Sequence, residues 1–357
     1  MQHRVRSRIG AGGLAMALAV ALTACAGAGT GSTGVGAAPA GAPPTAAPPG
    51  PAAQAPAAVD PSAPRTKLTF ALPGLGASSL IQYVGVDYGY YAQAGFDVEL
   101  SQMQPPLGPP ALMSKQADVF TGVETSIRIG ATGVPLKVVG VSKKSATFSL
   151  IARQGIASVP ELRGRTVGVG GRTGASIGGF KRVLQMNGMT IDDLNVLYTD
   201  NSNATLQNLV QGITDGAVLG APQVFEALDQ GYPQLIYMAD KVTFLSNGLV
   251  VTDEMLATRR DDVRQVVARE IALVRLLKAN KDIAVETLVR RFGIDPEVAA
   301  RSYDFEVTAL TPDIRVPPEE VEATVREEVE AGRVPAILPA SQLVAFDLIE
   351  EAIAQAQ

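Results

Sequence analysis

The chain is nearly without the side chains that most hydrolytic and metal enzymes use. Its 357 residues include one cysteine, one histidine and no tryptophan. A lone cysteine, Cys25, excludes a disulfide within the chain and any cysteine-built metal site. The histidine is His3, at the extreme N-terminus. Without it there is no Ser-His-Asp triad, no His-ligated zinc and no imidazole base. Carboxylate and lysine chemistry remains open, but no closely spaced carboxylate pair on one face calls for it. No catalytic residue, metal or cofactor is therefore expected. Nor is there an excess of basic charge, since the formal net charge is −5. An acidic chain without a basic cluster argues against nucleic-acid binding.

What is present starts with an address. His3, Arg4, Arg6 and Arg8 precede an apolar run from Leu14 to Leu22. That run is shorter than the ~20 residues a membrane span needs. Leu22-Thr-Ala-Cys25 follows, and it resembles the bacterial lipobox, in which the cysteine becomes lipidated. Residues 1–24 are thus expected to be a lipoprotein signal peptide and Cys25 the lipid-bearing residue. Three arginines and no acid leave with residues 1–24, so the net charge falls from −5 to −8. Residues 25–65 are mostly Gly, Ala, Pro, Ser and Thr, with nine prolines. They cannot bury enough apolar surface to fold and are expected to form a tether. The expected place is the extracytoplasmic face of a cell membrane, held by the lipid.

The remaining 290 or so residues alternate strand and helix, the order of an α/β protein with an open parallel sheet. Lys67 to Leu72 alternates like a strand, and Ser78 to Ala94 has helical spacing. Further strands are expected at 96–100, 136–141, 166–169, 194–198, 216–219 and 248–252, and helices at 174–186 and 204–211. Pro222 suits the first turn of a helix. The tail is expected to be helical over 260–292, from Val316-Pro-Pro onward, and over 341–356.

An internal repeat divides the body. Leu112 to Asp118 and Leu209 to Asp215 have the same spacing of six, and each Asp opens an apolar strand. Gly133-Val-Pro135 and Gly231-Tyr-Pro233 then follow their Asp by 15 and 16 residues. Two similar lobes are expected. Residues 66–155 and 246–357 would form lobe one and 156–245 lobe two, with two crossovers.

Several strings carry a resemblance: the turn from Leu72 to Ser79, Gly89-Tyr-Tyr-Ala-Gln-Ala-Gly95, and Gln116-Ala-Asp118. Glu161-Leu-Arg-Gly-Arg-Thr-Val-Gly-Val169 and Gly212-Ile-Thr-Asp215 through Pro222 extend it over roughly residues 66–350. The chain resembles the ABC-importer solute-binding proteins for sulfonates, nitrate, taurine and thiamine-pyrimidine precursors. It departs from them in lacking a tryptophan before Pro222. The resemblance implies a two-lobed periplasmic-binding-protein-like fold, a small-molecule ligand in the cleft, and an ABC permease with its ATPase as partners. A monomer is expected.

Ligands in open α/β sheets sit beyond the carboxyl ends of strands. Gly74 to Ser79 and Gly170 to Ser176 are equivalent strand-to-helix turns, with free N–H groups for an anionic or acceptor group. They supply Gly76, Ser78 and Ser79 from one lobe and Arg172, Thr173, Ala175 and Ser176 from the other. Thr121, Glu124 and Gln223 follow the repeated strands, and Tyr83 can reach the pocket. Arg172 would fork onto a carboxylate or sulfonate. Glu124 would suit an amine, so both together imply a zwitterion. The adjacent Lys143 and Lys144 are expected to be solvated near the crossover.

Three rival readings remain. Gly74 and Gly76, with Glu99, half-match a dinucleotide fingerprint, but Ser79 stands where its third glycine belongs. A secreted α/β enzyme on the same fold is another. A purely adhesive lipoprotein would have no ligand-stabilised cleft.

Overall fold

The first strand forms where the alternation predicts, β1 at Thr66–Leu72, with Leu68 and Phe70 buried. In the computed structural model the described residues are 63–74 and 76–356. The signal peptide, Cys25 and all but the last residues of the expected tether lie outside them. Nine more strands follow: β2 (Phe96–Gln102), β3 (Val119–Gly122), β4 (Leu136–Ser145), β5 (Ser149–Ala152) and β6 (Thr166–Gly170). The last four are β7 (Asn195–Thr199), β8 (Gly216–Leu219), β9 (Gln234–Tyr237) and β10 (Thr243–Thr252).

They make two five-stranded sheets, ordered β2-β1-β3-β10-β4 and β7-β6-β8-β5-β9. The orders match position for position. β1 pairs in parallel with β2 and β3, as β6 does with β7 and β8. The sheets are not purely parallel as expected. β10 runs antiparallel to β3 and β4, and β5 antiparallel to β8 and β9. The reason is the crossing. The chain leaves the first sheet along β4, and β5 enters the second against its neighbours. It leaves the second after β9, and β10 enters the first in the same way. Sheet membership therefore puts β5 in the second lobe, where the sequence reading drew the boundary at 155/156.

The repeated aspartates explain the likeness of the halves. Asp118 Oδ2 accepts from Thr69 N–H at 2.9 Å, and Asp118 N–H donates to Thr69 O at 2.9 Å. Asp215 does the same with Thr166, at 3.2 and 2.8 Å. Each aspartate thus clasps the first strand of its own lobe, 49 residues upstream in both cases. An arginine backs each: Arg259 lies 3.1 Å from Asp118, and Arg165 lies 3.7 Å from Asp215.

Three helices differ from expectation. The stretch from Ser78 to Ala94 breaks into Leu80–Asp87 and Tyr90–Gln93, because Gly89 takes a left-handed φ of 72°. The tail helix breaks at Asn280, whose side chain caps Lys281–Phe292 by accepting from Ile283 N–H. The last helix is Phe346–Gln355, shorter than 341–356. Two more tail helices, Pro296–Val307 and Pro318–Glu330, each begin with proline in the first turn.

These tail helices reach across to the second lobe. Arg301 pairs with Asp229 at 2.9 Å, and the Phe305 and Phe225 rings meet edge-on at 5.7 Å. Tyr237 O–H donates to Phe305 O at 2.5 Å. Arg182 lies 3.3 Å from Glu327 and 3.4 Å from Glu320. The larger buried cluster holds residues of both sheets, including Phe70, Leu249, Ile151 and Leu219. The second, smaller cluster covers the other face of the second sheet, with Leu150, Val167 and Val218. Neighbours along β5 and β8 thus fall in different clusters, as the strand period of two requires.

Asp118→Ala removes the acceptor of a backbone N–H and the partner of Arg259. The expected loss is about 1–3 kcal/mol of unfolding free energy by urea titration. An unchanged midpoint would show that the clasp adds nothing to stability.

Candidate functional site

Both sheets end their parallel strands at one cavity of about 300 Å³. Its wall is assembled symmetrically. After β1, β2 and β3 the first lobe contributes Gly76 and Ser78, Gln102 and Gln104, and Gly122, Glu124 and Thr125. After β6, β7 and β8 the second contributes Thr173 to Ser176, Asp200 to Asn203, and Gly220, Ala221 and Gln223. The crossings add Thr147, Phe148, Ser246 and Asn247, and the tail helix Pro296–Val307 adds Glu306.

The two strand-to-helix turns are closed by their own serines. Ser79 Oγ donates to Gly74 O at 3.0 Å, and Ser176 Oγ to Gly170 O at 2.5 Å. Gly174 has a φ of 95°, and Pro105 of the first lobe packs 3.1 Å from where a Cβ would sit. Glycine is thus required there by backbone and by the approach of the lobes. The helix Ala175–Met186 then starts with no side-chain cap, which leaves first-turn N–H groups free beside the cavity. The Thr173 hydroxyl, also on the wall, is buried without a partner. Gln104 Nε2 donates to Asp200 O at 3.0 Å and joins the lobes at the rim.

Of the residues singled out from sequence, Gly76, Ser78, Glu124, Thr173, Ala175, Ser176 and Gln223 come together on the wall. Four do not. Ser79 is buried behind its turn, and Thr121 is buried with its hydroxyl donating to Ala71 O at 3.4 Å. Tyr83 is buried and does not line the cavity, its ring edge-on to Phe292 at 5.7 Å and under Arg291 at 4.5 Å. Arg172 is exposed and stacks over the Tyr198 ring at 4.3 Å. The guanidinium is held outside by that contact. Glu124 is not free for an amine, since it is ion-paired with Arg128, which also binds Glu327 and Glu328. The zwitterion that Arg172 and Glu124 together implied therefore loses both its anchors.

The wall residues missed by the sequence reading fall into two kinds. Gln102, Gln104 and the Asp200–Asn203 turn follow strand ends, so the same strand-end rule finds them. Thr147, Ser246, Asn247 and Glu306 depend on how the crossings and the tail return, which no local pattern encodes.

Lys143 corrects a further expectation, because it is buried rather than solvated. Its side chain is 1% exposed and pairs with Glu306 Oε2 at 2.5 Å. It also donates to Ser78 O at 2.7 Å, and Thr147 Oγ1 donates to Glu306 at 2.9 Å. Lys144 stays partly exposed, 3.9 Å from Asp313. Deeper in the same lobe, Glu270 is fully buried and accepts from Gln82 Nε2 at 3.1 and 3.2 Å. Burial pushes its carboxyl up to about 7, against the opposing pull of Ser142, Gln82, Lys143 and Tyr91.

Among the described residues no lysine, arginine or histidine lines the cavity, and no group of acids, cysteines or histidines could hold a metal. The wall is one of hydroxyls, carboxamides and backbone groups, with Phe148 as its aromatic ring and the carboxylates of Glu124, Asp200 and Glu306 as its charged groups. Such a surface forms directional hydrogen bonds to a polar solute, and two of its carboxylates are already ion-paired, Glu124 with Arg128 and Glu306 with Lys143. No described helix is long and apolar enough to cross a membrane.

Two α/β lobes with exchanged strands and a cavity between their strand ends define a two-lobed periplasmic-binding-protein fold. A family model described as NMT1/THI5 like matches residues 77–269, more than half of the chain, and the chain belongs to that family. Riboflavin-binding protein RibY of Chloroflexus aurantiacus is 26% identical over 213 residues, which is 57% of this chain and 60% of that protein. The match thus spans less than two thirds of that relative. The alkanesulfonate-binding protein SsuA from Xanthomonas axonopodis pv. citri, solved with MOPS, superposes with a TM-score of 0.67 at 17% identity. That superposition covers 79% of this chain and 99% of SsuA. The desulfurization enzyme DSZB superposes with a TM-score of 0.61 at 13% identity, over 82% of this chain and 100% of that one. At these identities the two structures share the fold alone.

The buried Glu270 makes stability depend on pH with a definite sign. Its carboxyl holds a proton more tightly in the folded chain, at about 7 against an ordinary 4.5. Its favourable contribution is therefore complete below pH 4.5 and is lost as pH rises to about 7. Glu270→Gln has no proton to lose. Its stability relative to the parent should rise by up to roughly 3 kcal/mol across that window, followed by urea unfolding at several pH values. A difference independent of pH would contradict the buried carboxyl.

Proposed function

We propose that the chain is a lipid-anchored, extracytoplasmic solute-binding protein that works as a monomer. It captures a small, polar, uncharged organic solute between its lobes and delivers it to an ABC importer. The observation that carries this reading is the cavity itself. Both lobes supply its wall, with hydroxyls and carboxamides, no basic side chain among the described residues, and two of its three carboxylates, Glu124 and Glu306, already ion-paired. A ligand touching both lobes favours their closed arrangement, which is the signal a permease reads.

The wall also narrows the solute. A sulfonate or carboxylate buried in a pocket calls for a cationic or strongly donating partner. Arg172, the candidate for that partner, lies outside the cavity, which leaves the first-turn N–H groups of Ala175–Met186 and the Thr173 hydroxyl as donors facing the carboxylates of Glu124, Asp200 and Glu306, a balance that disfavours the sulfonates of SsuA. The name of the curated relative, with its uncharged flavin, fits this wall better. The fold also serves an enzyme, DSZB. Here Lys143 and Glu306 are tied to each other, which favours binding over catalysis. Membrane attachment through Cys25 rests on the sequence motif.

The test begins with native mass spectrometry of the full chain from its host, which identifies a co-purified solute. Titration of that solute follows. Thr173→Val and Asn247→Ala should each weaken it by roughly two- to twelvefold, the worth of one neutral hydrogen bond. Arg172→Ala should leave its affinity as in the parent. Weakening by Arg172→Ala alone would place the site elsewhere. Cys25→Ser should move the protein from the membrane fraction to the soluble one, and equal partitioning would remove the anchor from the proposal.

A further inference from the structure

Directly behind the cavity wall lies a buried cation. Lys143 Nζ is one hydrogen bond from two wall residues, 2.7 Å from Ser78 O and 2.5 Å from Glu306 Oε2. Its side chain is 1% exposed and that of Glu306 3%. Thr147, also on the wall, donates to the same Glu306 oxygen. The other buried wall carboxylate, Glu124, is offset by Arg128. In a poorly solvated pocket an unpaired ammonium acts strongly on any charge nearby.

We infer that Glu306 sets the charge selectivity of the cavity: by pairing with Lys143 it cancels the buried cation that touches the first turn, so the cavity rejects small organic anions. The inference rests on the solute-binding reading and adds to it the residue that decides which solutes are refused. Without Glu306, the Lys143 ammonium behind the wall would act on an anion in the cavity across one layer of residues. Glu306 arrives from the tail helix and pairs with that ammonium.

A second carboxylate complicates the removal of the first. Glu270 interacts electrostatically with Lys143 and can take up the compensating charge. Gln82, Ser142 and Tyr91 surround it. Glu306→Gln alone therefore exposes the cation only in part, and Glu306→Gln with Glu270→Gln exposes it fully. Both replacements keep shape and one acceptor oxygen.

The test uses the full chain in detergent and butanesulfonate as the probe, followed by calorimetric titration and thermal melts. The parent should show no binding at millimolar probe. The double variant should bind at least tenfold more tightly than the parent's detection limit, and adding Lys143→Met should abolish the gain. If the double variant does not fold, Glu306→Gln carries the comparison, with binding detectable at millimolar probe and abolished by Lys143→Met. Tight binding of butanesulfonate by the parent overturns the inference whatever the variants do. So does a gain that survives Lys143→Met, or no gain in a folded variant. None of these results touches the solute-binding reading, which stands or falls on the co-purified solute.

Discussion

The Lys143–Glu306 pair is the point on which the rest of the molecule turns. Lys143 sits near the end of β4, just before the first crossing, and Glu306 sits on a helix from the far end of the chain. Their 2.5 Å contact pins the tail helix to the crossing, and Lys143 pins the first strand-to-helix turn through Ser78 O. Removing one member of such a pair strands a buried charge, at a cost of about 3–5 kcal/mol. An apolar replacement of both would be far less costly in stability. Stability alone therefore does not account for the pair. Its position against the cavity wall does.

The pair works because of how the sheets are joined. Each lobe is a parallel core of three strands, clasped by an aspartate to its own first strand. Onto that core each lobe adds a strand arriving from the other, β10 in the first and β5 in the second. Those two strands run against their neighbours, so the crossings meet at the strand ends that also form the cavity. Thr147, Phe148, Ser246 and Asn247 line the cavity for that reason. A change of angle between the lobes moves these four residues directly.

What the sequence disclosed follows the range of the interactions. The repeat was legible because Asp118 and Asp215 perform the same local task, and task and spacing recur together. Most strands were legible from apolar runs, and β8 falls at the expected 216–219. Gly89 and Asn280 broke two expected helices because apolar spacing continues across a residue whose backbone has turned. Lys143 misled for a similar reason. A lysine next to another lysine has the pattern of a solvated pair, and its partner is 163 residues away. Arg172 misled in the opposite direction. Its turn does reach the cavity, but the adjacent strand offers the Tyr198 ring, and the guanidinium stacks there.

The balance between lobes also follows from the tail. Of its bridges, Arg301–Asp229 joins groups 34% and 54% exposed, and Arg182–Glu327 groups 18% and 34% exposed. Solvent screens pairs of this kind, and each contributes ~0–1 kcal/mol. The Phe225–Phe305 contact adds about 0.5–1.5 kcal/mol. These bridges together contribute only a few kcal/mol to the contact between the lobes, beside the buried cluster that the two sheets share. A solute making a handful of neutral hydrogen bonds to the second lobe supplies a similar amount. Exposed bridges of this kind are the contacts that a change of angle between the lobes breaks most cheaply.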